Sequence, residues 1–130
     1  MLCIFRQLCE ALAYMHDQGI IHRDVHPTRI HSTFGLAKFN LIGMPYNYKK
    51  LLKKDNFCGH VNYSAPELIE EKLAFSPKVD IWSLGCCLYY LCTKKDPFEG
   101  KNPFEIKQNI MYGRLEKYQS KIDPVLKQLI

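Results

Sequence analysis

Several things are missing from this 130-residue sequence. No run comes near the roughly 18 apolar residues that a membrane helix needs, so no contact with a membrane is expected. The N-terminus, Met1-Leu2-Cys3-Ile4-Phe5-Arg6, has no basic region before a long apolar run, which argues against a signal peptide. The six cysteines (Cys3, Cys9, Cys58, Cys86, Cys87 and Cys92) make no C-x-x-C pair and no regular framework. A reduced, intracellular and cytoplasmic protein is therefore expected.

What is present is ordinary for a globular chain: 47% apolar, 12% aromatic and 24% charged residues, which suggests neither disorder nor a fibrous class. The length allows one domain at most, able to bury about two thirds of its unfolded surface. The net charge of +5 comes partly from Lys49, Lys50, Lys53 and Lys54, interrupted by Leu51 and Leu52. Such a cluster in one loop reads as a solvated segment, and no nucleic-acid partner is inferred from it. His22 and His26 are four apart, but Pro27 argues against a helix that would align them as metal ligands.

Along the chain, Phe5, Leu8, Cys9, Leu12 and Met15 fall at i, i+3, i+4, i+7 and i+10, one face of a helix over Leu2 to His16 that Gly19 stops. Ile20 and Ile21 then lead into His22-Arg23-Asp24, and Pro27 holds the chain out of a helix just beyond, which describes a rigid loop presenting one carboxylate. The stretch from Met44 to Tyr63 is polar, Lys-rich and without helical period. A short helix and a turn at Ser76-Pro77 follow. From Asp80 to Cys92 the sequence is apolar nearly all round, the mark of a helix in the middle of a domain; Trp82 and the run Cys86 to Cys92 read as core. Pro103 suits the start of a helix within residues 102–112 that Gly113 ends, and Lys121 to Ile130 begins another.

The segment Ile20 to Ile30 resembles the protein kinase catalytic loop H-R-D-L-x-x-x-N. Asp24 matches the catalytic base, Arg23 the arginine that usually meets an activation-loop phosphate, and His26 replaces the loop lysine. Arg29 stands where the family has an Asn on magnesium. Thr33-Phe34-Gly35-Leu36-Ala37 imitates the family's D-F-G-L-A, but it lies only four residues after Arg29, too near for the intervening β-hairpin. In the register adopted here, Ser32 to Gly35 is the hairpin's turn, Leu36 to Asn40 its second strand, and Leu41-Ile42-Gly43 takes the D-F-G place. Asn56-Phe57-Cys58-Gly59-His60-Val61-Asn62-Tyr63-Ser64-Ala65-Pro66-Glu67 resembles F-C-G-T-P-x-Y-x-A-P-E, with Asn56 at a usual phosphothreonine and His60 in place of the threonine that contacts the base. Asp80-Ile81-Trp82-Ser83-Leu84-Gly85 resembles D-x-W-S-x-G, whose Asp accepts hydrogen bonds from the catalytic-loop backbone.

The resemblance implies a mainly α fold: residues 1–130 as a partial protein kinase domain, its C-terminal lobe with a small β-hairpin, the N-terminal lobe absent and the last helices truncated. Catalytic loop, activation segment and central helix fall at 20–30, 41–67 and 80–92. The form is nearer Ser/Thr than Tyr kinases, and Cys58 to Leu115 looks most like NIMA-related or polo-like kinases. No glycine-rich loop or V-A-I-K lysine is found in this chain.

Both usual magnesium ligands are replaced (Arg29, Leu41), so no metal and no cofactor are expected for this chain; ATP and magnesium are implied if a longer parent is active. One rescue would have Arg29 lend its charge to a phosphate. Glu67, Asp80 and Trp82 are structural by resemblance, and the arginine that pairs with Glu67 in the family would lie beyond this sequence. Tyr46 and Tyr48 are candidate modification sites in the activation segment. The resemblance implies a pseudokinase-like protein-binding module, with partners meeting the activation segment and residues 102–112. Two alternatives stand beside it: a fragment of an ATP-dependent Ser/Thr kinase with Asp24 as base, and an unstable truncation product.

Overall fold

The computed structural model describes residues 2–33, 36–39, 46–47, 59–70 and 76–115. Leu41, Tyr48, the lysine cluster at 49–54, Asn56, Cys58 and the helix expected from Lys121 lie outside these residues.

Helix α1 (Leu2–Asp17) follows the predicted period, and Leu8 and Leu12, one turn apart, are its fully buried anchors. Cys9 departs from expectation: it is exposed, because Leu8 points at the core and the next residue lies about 100° round the helix. Gly19 ends the run with φ of 78°, a left-handed conformation that glycine adopts without steric penalty.

Strand β1 (Ile20–Ile21) pairs antiparallel with β4 (Tyr46–Asn47), Ile21 opposite Tyr46. Residues 46–47 are thereby tied to the entrance of the loop that carries Asp24. Pro27 does not keep the following residues from turning: Pro27–Arg29 forms one 3₁₀ turn, for which a proline at its first position is pre-organised. The hairpin is present as β2 (Ile30–Thr33) against β3 (Leu36–Phe39), with Thr33 opposite Leu36. The first strand runs through Ser32 and Thr33, two residues expected in the turn. Thr33 and Leu36 are ladder partners, which removes Thr33-Phe34-Gly35 from the D-F-G role.

Helix α2 (Pro66–Ile69) is one turn opened by Pro66. Helix α3 (Lys78–Thr93) is the central element, longer at each end than residues 80–92. Val79, Leu84, Cys87, Leu88 and Tyr89 are buried on different sides of it, as an all-round apolar helix requires, while Ile81 stays 49% exposed. Lys94 closes α3 in the left-handed region, its N–H donating to the Tyr90 carbonyl at 2.7 Å. Helix α4 (Pro103–Met111) has Asn102 as N-cap, its Oδ1 accepting from the Glu105 N–H at 2.9 Å, while the Glu105 carboxylate accepts from the Lys101 N–H at 2.8 Å. Ile106 and Ile110 face inward. The main core gathers Leu8, Leu12, Val25, Leu84, Cys87 and Ile110, and a smaller cluster of Ile21, Ala65, Leu68 and Val79 sits beneath the catalytic loop. The fold is mainly helical, with a small hairpin.

Candidate functional site

The loop after β1 is fastened from below by Asp80, in the first turn of α3 and wholly buried. Asp80 Oδ2 accepts the His22 N–H and Oδ1 the Arg23 N–H, each at 2.8 Å, and His16 Nε2 lies 2.8 Å from Oδ2. These bonds hold Arg23 at φ of 62°, a left-handed conformation that costs a non-glycine residue about 1 to 2 kcal/mol. The strain is localised where the chain must turn to present Asp24.

Asp24 is buried at the surface of this loop, its N–H donating to His22 Nδ1 at 3.2 Å. Its carboxylate is already engaged: Arg29 Nε donates to Oδ2 at 2.9 Å, and His26 Nε2 lies 3.3 Å from Oδ1. The Arg29 cation thus turns toward Asp24, the opposite of the arrangement in which it would lend its charge outward to a phosphate. His26 Nδ1 is 3.0 Å from Thr28 Oγ1. Burial depresses the His26 pKa below the usual imidazole value; Asp24 works against that, while His60, Arg29 and His22 add to it.

Residues 59–63 rest on this loop. Gly59, at φ of 112°, lies so close that a Cβ would stand 2.6 Å from the Arg23 carbonyl oxygen, a contact only glycine permits. His60 meets His26 with ring centroids 5.3 Å apart, and Tyr63 packs edge-on against His60 at 5.5 Å. Tyr63 is pinned from the other side: its hydroxyl donates to Asp96 Oδ1 at 2.5 Å, Asn62 Nδ2 donates to Asp96 Oδ2 at 2.9 Å, and Ser83 Oγ donates to the Tyr63 carbonyl at 2.7 Å. Burial and the bond to Asp96 push the Tyr63 phenol well above its usual range.

The remaining candidates lie apart from Asp24. Glu67, in α2, makes no hydrogen bond or ion pair among the described residues and borders a largely apolar cavity of about 420 Å³, with Trp82, Tyr89, Phe98 and Leu115 among its walls. Trp82 stacks on Phe98 at 5.9 Å, its indole Nε1 buried without a hydrogen-bond partner among the described residues. Burial pushes the Cys86 thiol up to about 12 and raises Cys87 too, which keeps both unreactive. Among the described residues no group of three His, Cys, Asp or Glu side chains is arranged to hold a metal ion, and no helix is long and apolar enough to cross a membrane.

Sequence reasoning missed three contributions: Asp96 as the anchor of Tyr63 and Asn62, His16 on Asp80, and the meeting of His26 with His60. Asp96-Pro97-Phe98 reads only as a loop, and nothing local marks its carboxylate as a partner for residues more than 30 positions away.

A family model described as the protein kinase domain matches residues 2–129. Among curated proteins, the chain is 36% identical over 112 residues to sperm motility kinase 2B of Mus musculus, covering 85% of this chain and 23% of that protein. It is likewise 36% identical over 112 residues to sperm motility kinase 3A of Mus musculus, covering 85% of this chain and 22% of that protein. Sperm motility kinase Z of Mus musculus is 36% identical over 114 residues, 87% of this chain and 23% of that protein. The chain therefore spans less than a quarter of the length of these relatives.

Proposed function

The chain belongs to the protein kinase domain family, and on that premise we propose that it is a Ser/Thr-type C-terminal lobe that binds protein and does not itself transfer phosphate. The observation that carries this reading is the Arg29 guanidinium, with Nε 2.9 Å from Asp24 Oδ2. Phosphoryl transfer depends on positioning and on neutralising charge at the transferred group. Magnesium takes oxygen ligands in a tight octahedron, whereas Arg29 offers only positively charged N–H donors. The described residues do not fit the metal, and no step is drawn through it. Asp24 as base, a contribution of about 10²- to 10⁴-fold elsewhere, would have to leave its internal cation first. Nor does His26 replace the family's loop lysine in charge, since burial favours its neutral form.

The binding surface in this reading is α4 with the end of the activation segment. Phe104 is 70% and Tyr112 69% exposed, and with Lys107, Gln108 and Met111 they line a groove of about 330 Å³. Aromatic and Met side chains such as Phe104, Tyr112 and Met111 are enriched in protein interfaces. We keep the resemblance of residues 58–115 to NIMA-related or polo-like kinases, and an intracellular setting, within the same proposal.

A second reading has one observation in its favour. The relatives are named as kinases, and Asp24 keeps the position of the base. Nucleotide binding separates the two. The proposal expects a cooperative thermal melt unmoved by ATP, with or without magnesium; a magnesium-dependent rise in melting temperature would favour the enzyme, and phosphotransfer lost in Asp24→Ala would establish it. Absence of any cooperative melt would favour the truncation product.

A further inference from the structure

Two positions at which this chain departs from the kinase pattern, His26 and His60, are 34 residues apart in sequence and in contact in space, with ring centroids 5.3 Å apart. One belongs to the catalytic loop, the other to the end of the activation segment. His26 is 8% exposed, while His60 is open to solvent. His26 Nδ1 lies 3.0 Å from Thr28 Oγ1 and Nε2 lies 3.3 Å from Asp24 Oδ1, and a neutral ring with its proton on Nε2 suits both contacts. That arrangement needs no charge on the imidazole.

We propose that the His26 and His60 pair is an acid-sensitive latch: with the buried His26 ring neutral, Gly59 and His60 rest on the catalytic loop, and positive charge at His26 loosens that contact while Tyr63 stays tied to Asp96. The groups around the pair set the direction. From its own loop His26 meets Asp24, Arg29 and His22; from the activation segment it meets His60 and Tyr63, whose phenol is tied to Asp96 in the loop after α3. The one carboxylate in direct reach among the described residues, Asp24, is already shared with Arg29. Two imidazolium rings at this spacing would add like charge beside a guanidinium, against one anion.

Linkage gives the sign. The His26 pKa is lowered in the docked arrangement, so a released segment takes up the proton more readily. Docking is fully favoured above the ordinary imidazole value of about 6.5 and weakens as pH falls from there toward the lowered value. This inference holds whether or not the chain transfers phosphate.

The test uses the whole chain. Backbone hydrogen exchange, corrected for intrinsic rates, is compared at about pH 7.5 and about pH 5.5 for the segment Gly59 to Ser64 and, as a control, for the middle of α3. The latch expects the segment to open about three- to tenfold more at the lower pH while α3 holds. In His60→Gln, a change at an exposed site, that difference disappears and the His26 imidazole resonances titrate at a higher pH than in the parent. Equal protection of the segment at both pH values would overturn the latch. So would an unperturbed or raised His26 titration in the parent chain, a result that needs no variant.

Discussion

Two acidic residues of this chain, Asp80 in α3 and Glu67 in α2, live in opposite circumstances. Asp80 is wholly buried and fully used, with two backbone N–H groups and His16 on its carboxylate. Glu67 borders an apolar cavity and has no partner among the described residues. The difference teaches that a buried carboxylate such as Asp80 stabilises through the donors that converge on it, which offset its desolvation, while the half-buried Glu67 neither bears that cost in full nor gains those donors. The carboxylate beneath the Asp24 loop is fully engaged, and that of Glu67 has no partner among the described residues.

The sharpest way to break the comparison is Asp80→Ala. It strands two buried N–H groups and the His16 imidazole, and a loss of about 3 to 5 kcal/mol is expected in chemical denaturation. Tyr63→Phe removes one charge-assisted bond to Asp96 and should cost about 1.5 to 3 kcal/mol, measured the same way. Asn102→Ala deletes the α4 cap and should lower stability by about 1 kcal/mol, with Asn102→Ser recovering most of it. Smallest of all is Glu67→Ala, expected within about 0.5 kcal/mol of the parent. A Glu67 loss comparable to that of Asp80 would mean that the two anchors are equivalent after all.

Much of this was readable from the residues. The 3.6-residue period of α1, the all-round apolar character of α3, Pro103 opening α4 and Gly19 closing α1 are local matters, settled by steric limits and by which face meets water. The family resemblance, checked against the short gap after Arg29, put the hairpin where Thr33-Phe34-Gly35 imitates a metal motif, though Ser32 and Thr33 belong to its first strand. Cys9 was misassigned because an apolar stripe is wider than the strip that a neighbour covers.

The sequence by itself determined the helices, the loop that presents Asp24 and the departures from the family at His26, Arg29 and His60. Only the tertiary structure decided what those departures do: Arg29 turns onto Asp24, His26 meets His60, and Asp96 holds Tyr63 in place. The physical reason is range. Periodicity and capping act over a few residues, whereas the direction of a side-chain cation and the meeting of two rings depend on how distant segments pack.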